Sequence, residues 1–145
     1  MKFSTRTRYG LRLLIYLAAR DKQGFIQLKE IAAAEDVSVK YLEQIILVLK
    51  PAGILFSSRG ASGGYKLKQE PAKLKLSYLF RILEGSLEPI DCLQTGYHCR
   101  RQKKCPATEV WEGLKQVIVD YLDKITLDDL VAEYKQKNKQ AMFYI

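Results

Sequence analysis

Apolar residues recur at helical spacing through the first half of the chain. The pattern predicts three helices, over residues 5–20, 28–34 and 38–50. Ser38 is a good N-cap for the third helix, and Pro51 and Gly53 follow its predicted end. A three-residue turn, residues 35–37, separates the second helix from the third. Two short helices joined by a tight turn are typical of a helix-turn-helix.

A glycine-rich hairpin is predicted directly after the third helix. Residues 54–57 and 65–68 have the pattern of short strands. Three of the five residues from Gly60 to Gly64 are glycines, so the loop backbone can approach another surface closely. Its one charged group is Arg59, and an arginine on a slim loop suits the narrow minor groove of DNA. An ordinary hairpin with a solvated arginine is the alternative.

The second half of the chain is predicted to contain three more helices and a cysteine-rich loop. The helices cover residues 77–84, 106–123 and 127–134, and the loop covers residues 91–105. Pro106 suits the first position of the long helix. The apolar stripe of that helix follows a three-four spacing through Trp111, Leu114, Ile118, Tyr121 and Ile125. Packing against the preceding domain is the ordinary interpretation, but we favour a partner helix in a homodimer.

These elements define a mainly α fold class. We expect a winged helix-turn-helix with a two-stranded wing, followed by a long C-terminal dimerisation helix. The predicted units are residues 1–75 for DNA binding, 76–105 for a connecting helix and cysteine loop, and 106–145 for the dimerisation helix and tail.

Charge is concentrated in the first predicted unit. The 145 residues carry a net charge of +8, from 24 basic and 16 acidic side chains. Residues 1–75 hold 14 basic and 6 acidic side chains, whereas residues 76–145 hold 10 of each. The N-terminal unit is therefore predicted to bind a polyanion, and double-stranded DNA is the partner that a winged helix-turn-helix implies. A basic but merely solvated surface is the alternative.

Specific side chains are candidates for contacts with DNA. Polar residues lie on the face of the third helix opposite its core, near the helix start. Arg6 and Arg8 lie early in the first helix, where positive charge opposes the helix dipole, so an anionic partner is expected. The predicted contacts are Arg6, Arg8, Ser38, Lys40, Tyr41, Glu43, Gln44, Arg59 and Ser62.

The three cysteines, Cys92, Cys99 and Cys105, all fall in the cysteine loop. Their odd number and the absence of an export signal argue against a disulfide framework. Thiolates select iron–sulfur clusters, zinc or copper(I), and the spacing lacks the close cysteine pairs of zinc knuckles. An iron–sulfur cluster is therefore favoured. A metal-free thiol redox sensor remains an alternative.

Other classes of protein fit the chain poorly. The longest apolar run is the seven-residue segment 13–19, far short of a membrane span, and we expect a cytoplasmic, nucleoid-associated protein. No nucleophile–base pair or phosphate loop indicates an enzyme. A small iron–sulfur electron carrier is the alternative of another class, although it would not need a helix-turn-helix and wing.

Several segments together resemble a known family. The segments 3–10, 41–45, 59–65 and 125–127 and the cysteine loop resemble the Rrf2 superfamily of bacterial regulators. The branch of iron–sulfur cluster regulators called IscR is the most similar, whereas the ending, residues 142–145, resembles the cysteine-metabolism repressors called CymR, which lack the loop. The resemblance implies a homodimeric repressor of pseudo-palindromic operators, with the cysteines holding a cluster.

The same resemblance implies a histidine three residues after the last cysteine as the fourth ligand, but this chain has Thr108 there. The remaining candidates are His98, Glu109, Thr108 itself and Asp91. A 2Fe-2S cluster is expected, with 4Fe-4S as the alternative. The expected function is control of iron–sulfur cluster biogenesis genes, and a repressor of cysteine or sulfur metabolism is the alternative.

Overall fold

The computed structural model describes residues 2–142, apart from the side chain of Lys103. The last three residues of the predicted tail, 143–145, lie outside the described residues. The described part contains six α-helices and one antiparallel pair of strands, which confirms the predicted fold class. In chain order they are α1 (Thr5–Ala19), α2 (Leu28–Glu35), α3 (Val39–Leu49), β1 (Leu55–Ser58), β2 (Gly64–Leu67), α4 (Leu76–Glu84), α5 (Thr108–Asp123) and α6 (Leu127–Met142).

The helix-turn-helix forms from α2 and α3 as the sequence predicts. Asp36 ends α2 in the left-handed conformation, with φ of 50°, and the chain then reverses. The Ser38 hydroxyl accepts a hydrogen bond from the backbone N–H of Tyr41, 3.1 Å away, and caps α3. The apolar face of α3 is fully buried through Leu42, Ile45, Ile46 and Leu49.

The strands of the hairpin are each displaced by one residue from their predicted positions. Ile54 lies outside β1 because its amide donates to the carbonyl of Leu49 in the turn after α3. The pairing then continues to Ser58, which lies opposite Gly64. Residues 59–63 connect the two strands, and we call them the wing loop. A backbone bridge between Ile26 and Tyr65 attaches the hairpin to the segment before α2.

One apolar core extends past the predicted boundary at residue 75. Leu79 and Leu83 of α4 and Leu127 of α6 are fully buried together with the core residues of α1 and α3. Helices α1 and α4 approach closely at Gly10, where a Cβ atom would lie 2.5 Å from a methyl group of Leu83. The N-terminal unit thus shares its core with α4 and α6. That residues 1–75 form the DNA-binding unit stays a prediction.

In the C-terminal half, α4 begins one residue before its predicted start, and three further differences have a clear physical cause. Helix α5 begins at Thr108 because Pro106 and Ala107 form a turn, in which the amide of Thr108 donates to the carbonyl of Cys105. Ile125 lies after α5, and its carbonyl accepts from the amide of Leu76, 2.9 Å away. Helix α6 continues to Met142, eight residues beyond the predicted residue 134, because its lysines and glutamines are good helix formers even without an apolar stripe.

Within the part of the chain that the structure describes, no helix combines the length and hydropathy needed to cross a membrane.

Candidate nucleic-acid interface

The polar face of α3 is open to solvent where the helix begins. Lys40, Glu43 and Gln44 are exposed, and Tyr41 is half-buried beside them. Ser38 is also exposed, although its hydroxyl is used in the cap of α3. The structure therefore places the five candidate residues of this helix on one accessible surface.

Aromatic contacts attach this surface to α1. The ring of Tyr41 meets the ring of Tyr9 edge to face, with centroids 5.9 Å apart. The guanidinium groups of Arg8 and Arg12 lie 5.0 Å and 5.2 Å from the centroid of Tyr9. Arg12 also pairs with Glu35 at 2.6 Å. The basic side of α1 thus lies next to the start of α3, with the side chain of Arg8 exposed.

Arg6 lies in a different environment from Arg8. Its Nε donates to the carbonyl oxygen of Leu83, 2.6 Å away, at the end of α4. A cation at the C-terminus of a helix is favourable because it complements the helix dipole, so Arg6 has a structural role. Its predicted contact with DNA stays a prediction.

A carboxylate completes this junction between α1 and α4. Glu84 accepts hydrogen bonds from the amide and hydroxyl of Ser4 and from the hydroxyl of Thr7. Partial burial acts to raise the pKa of Glu84, but these hydrogen bonds outweigh it and hold the pKa below its usual value. The start of α1 is therefore fixed to the segment that leads into the cysteine loop.

The wing loop stands beside the start of α3. Arg59 and Ser62 are exposed on it. Gly60 and Gly64 have φ values of 100° and 151°, which side-chain-bearing residues rarely adopt. A groove of about 440 Å³ runs between the wing loop and the two helices, with Gln27, Lys29, Glu43, Ser58 and Tyr65 in its walls. We call it the α3–wing groove. Of the predicted contacts, Glu43 lies in its walls, together with residues on either side of Arg59 and Ser62.

Two residues in the walls of the α3–wing groove escaped the sequence analysis. Gln27 precedes α2, and Lys29 lies in its first turn. No local pattern could identify them, because the hairpin that they face begins more than twenty residues later in the chain. Only tertiary packing brings the two segments together.

The predicted cluster ligands do not converge. Cys92 and Cys105 are half-buried, Cys99 is exposed, and all three are free thiols. Among the described residues, no group of three His, Cys, Asp or Glu side chains is placed to hold a metal ion. The candidate fourth ligands are spread along the same region, with His98, Glu109 and Asp91 exposed and Thr108 half-buried. The donor chemistry suits a cluster, but the arrangement in this structure does not fit one.

Helix α5 exposes much of its predicted stripe. Leu114 is 40% and Tyr121 65% exposed, while Trp111 and Ile118 are half-buried. The flanking Val110 and Val117 are 63% and 65% exposed. Ile118 and Ile125 pack partly against the core of their own chain, and the flanking Leu122 is buried, so the exposed part of the stripe is centred on Leu114 and Tyr121.

An apolar groove of about 400 Å³ lies along this stripe, and it is lined by Phe3, Phe80, Val117, Ile118, Tyr121 and Leu122. Phe3 and Phe80 pack edge to face with ring centroids 5.1 Å apart. The sequence analysis did not assign these two rings to this surface, because Phe3 precedes α1 and Phe80 follows the buried pattern of α4.

The α2–α3 pair, the hairpin and the basic surface beside them define the class of winged helix-turn-helix DNA-binding proteins. The profile of the Rrf2 family, described as an iron-dependent transcriptional regulator, matches residues 3–133. The chain therefore belongs to the Rrf2 family of transcriptional regulators.

Individual relatives agree with this assignment. The HTH-type transcriptional regulator CymR of Bacillus subtilis is 37% identical over 145 residues, which is all of both chains. The solved structure of CymR, the global cysteine regulator of B. subtilis, superposes with a TM-score of 0.75 at 34% identity, covering 92% of this chain and 98% of that one. The structure of T. potens IscR gives a TM-score of 0.73 at 35% identity, covering 94% and 90%.

Proposed function

We propose that the protein regulates transcription by binding double-stranded DNA in a sequence-specific way, with α3 in the major groove and the wing loop in the minor groove. The observation that carries the proposal is the α3–wing groove, since the exposed start of α3 and the wing loop face the same open space. A duplex could then meet both elements at once. The protein would act in the cytoplasm, on chromosomal DNA.

Each predicted contact has a chemical role. Gln44 can form a bidentate pair with adenine, and Glu43 can accept a hydrogen bond from the amino group of cytosine. Arg59 carries a cation suited to the electronegative minor groove. Lys40 and Tyr41 would enter the major groove beside Glu43 and Gln44. The remaining candidates suit phosphate oxygens, which position the protein without reading sequence; they are Arg6, Arg8, Ser38 and Ser62.

A second copy of the chain completes the proposed DNA-binding unit. The exposed stripe of α5 and the apolar groove beside it would be covered by the same surface of a partner, through Trp111, Leu114, Ile118, Tyr121 and the following Ile125. Two recognition helices related by a two-fold axis would read a pseudo-palindromic operator.

The cysteine loop is the proposed receiver of the regulatory signal. Three thiols lie in the one long connection between α4 and α5, and that connection joins the shared core to the proposed dimer helix. The loop conformation described here does not assemble a metal site, so binding of a 2Fe-2S or 4Fe-4S cluster would require the loop to rearrange. A regulator that binds a cluster would respond to the supply of clusters, so we propose that it controls iron–sulfur cluster biogenesis genes.

A second candidate signal is thiol oxidation without a metal. The three free thiols and their separation favour it, since such a sensor needs no preformed metal site. Control of cysteine or sulfur metabolism is the matching regulatory target, and the 37% identical relative CymR is described as the global cysteine regulator of B. subtilis.

One experiment tests both parts of the proposal. Protein purified without oxygen is assayed for iron and sulfide, and its absorption and EPR spectra are recorded. The same preparation is used to enrich duplexes from a random-sequence pool. We expect enrichment of a defined sequence, and the absence of any enriched sequence would refute DNA-binding regulation. Iron and sulfide in stoichiometric amounts would support the cluster, whereas their absence from protein that binds DNA would support the thiol sensor.

A further inference from the structure

A side chain outside the predicted DNA contacts holds the wing loop. The Nε2 atom of Gln27 donates a hydrogen bond to the carbonyl oxygen of Ala61, 2.8 Å away and 34 residues along the chain. Gln27 is the N-cap residue of α2, yet its side chain makes no capping bond. The glutamine therefore bonds across the α3–wing groove instead of stabilising its own helix.

The end of the hairpin next to the wing loop is attached to the segment before α2 through its backbone. The amides and carbonyls of Ile26 and Tyr65, which is two residues after the wing loop, form two backbone hydrogen bonds of 2.9 Å. Gly64 follows the backbone of Ile26 so closely that a Cβ atom would overlap the Ile26 carbonyl. Within the described residues 2–142, the bond from Gln27 is the one side-chain hydrogen bond that reaches the wing loop.

This bond bears directly on Arg59. Arg59 lies two residues before Ala61, in a loop that also contains Gly60 and Gly63 and therefore has wide conformational freedom when unattached. Fixing the carbonyl of Ala61 reduces the number of orientations from which Arg59 leaves the loop. A group held in its bound orientation loses less conformational entropy on binding.

We propose that Gln27 is a positioning residue for the wing, which holds Arg59 in the orientation that enters the minor groove. The inference rests on the proposed function. Because Gln27 also lies in the wall of the α3–wing groove, direct contact with DNA is the competing role. The two roles differ in one respect: a positioning residue loses its effect when Arg59 is absent, whereas a direct contact does not.

The variant Gln27→Met tests the proposal, because it keeps the length of the side chain and removes the donor. Since the Gln27 side chain does not cap α2, helix stability should be preserved, as circular dichroism can verify. Gln69→Met is the matched control, since Gln69 makes a similar bond to the carbonyl of Gly53, 3.2 Å away, near the hairpin base. Both changes are also made in an Arg59→Ala background, which gives a double-mutant cycle.

The first readout needs no DNA. Arg59 is the one lysine or arginine between Lys50 and Lys66, so trypsin cleavage after Arg59 reports exposure of the wing loop. We expect Gln27→Met to be cleaved there faster than the wild-type protein, and Gln69→Met to be cleaved at the wild-type rate. Equal cleavage rates for all three proteins would overturn the proposal that Gln27 holds the loop.

The second readout is affinity for a duplex that the wild-type protein enriches from a random pool. Loss of one neutral hydrogen bond predicts that Gln27→Met binds about two- to tenfold more weakly. Next to Arg59→Ala, the same change should cost less than about twofold, since little coupling remains to lose. An equal loss in both backgrounds would overturn positioning and assign Gln27 a direct contact. If the wild-type protein enriches no duplex, the proposed function fails, while the cleavage rates still decide whether Gln27 holds the loop.

Discussion

The α3–wing groove and the surface formed by α5 and the cysteine loop differ in how their functional side chains are held. Around the groove, contacts within one chain hold the elements that form it: Ser38 caps α3, Tyr9 packs against Tyr41, and Gln27 bonds to the wing loop. On the other surface, large apolar side chains of α5 are exposed and the three thiols do not converge.

This difference indicates how the two regions are completed. The polar and basic groups around the groove are held by contacts within one chain, so no second copy is needed to fix them. The α5 surface exposes apolar groups beside an apolar groove, which is unfavourable in water unless another surface covers them. We infer that the α3–wing groove is complete in a single chain. The α5 surface would be covered by a second copy, and the cysteine loop would be ordered by a bound cluster or by thiol oxidation.

The largest predicted effect concerns the α5 surface. Ile118→Asp would place an unpaired carboxylate in the proposed interface, at a cost of about 3–5 kcal/mol. We expect sedimentation to show a folded monomer where the wild-type protein is a dimer. Gln116→Glu adds the same charge to an exposed position of the same helix and should leave the dimer intact. A fully dimeric Ile118→Asp protein would show that the stripe is not the interface.

The next effect concerns the groove. Arg59→Ala should weaken binding to an enriched duplex by about 1–3 kcal/mol at fixed salt, because it removes the minor-groove cation. Arg100→Ala removes another exposed arginine, from the cysteine loop, and serves as the control. Fluorescence anisotropy titrations compare the three proteins. Equal losses of affinity in Arg59→Ala and Arg100→Ala would contradict the assignment of DNA binding to the wing loop and not to the cysteine loop.

Helical spacing and turn chemistry account for the parts that the sequence predicted well. Ser38 precedes the apolar spacing of α3, and the glycines of the wing loop mark the hairpin, so both signals lie within a few residues. The predictions fail where contacts between residues far apart in the sequence determine the local structure. Ile125 leaves the stripe because its carbonyl pairs with Leu76, and Gln27 meets a loop 34 residues away.

The cysteine loop shows the same limit for the candidate site. Three cysteines within fourteen residues are easy to recognise as ligands or redox groups. Whether their sulfur atoms come close enough to share a ligand depends on the backbone path of the loop. The spacing of the cysteines in the sequence does not predict that path.

A smaller effect, on the stability of the fold, is expected from Glu88, which lies three residues before the cysteine loop. Glu88 pairs with Lys115 of α5 at 2.7 Å, and hydrogen bonds from Lys115 and Ser86 lower the pKa of Glu88 from 4.5 to about 2. A lowered folded-state pKa stabilises the protein above pH 4.5, and this stabilisation is lost as the pH falls towards 2.

Glu88→Gln should therefore lower the free energy of unfolding by about 1 kcal/mol at pH 7, the upper value for a partly exposed ion pair. The difference from the wild-type protein should shrink at pH 3. Urea unfolding measures both values. Glu133→Gln, which breaks the more exposed pair with Lys137, is the control and should show little effect at either pH. A difference that is unchanged at pH 3 would contradict the assigned role of the carboxylate.

The smallest effect on stability, and a distinct effect on recognition, is expected from the cysteines. Cys92→Ala, Cys99→Ala and Cys105→Ala should each fold and dimerise normally, because none of these side chains is fully buried. Each should nevertheless change which duplexes are enriched, if the loop sets how the two recognition helices are spaced. Enrichment of identical sequences by all four proteins would make the loop structural rather than regulatory.

The most direct test of the central claim is the symmetry of the DNA that the wild-type protein selects from a random pool. A complete half-site reader in each chain and an interface through α5 together predict two matching half-sites related by a two-fold axis and separated by about one helical turn, with two protein chains bound per duplex. Enrichment of a single unsymmetrical site bound by one chain would contradict the account.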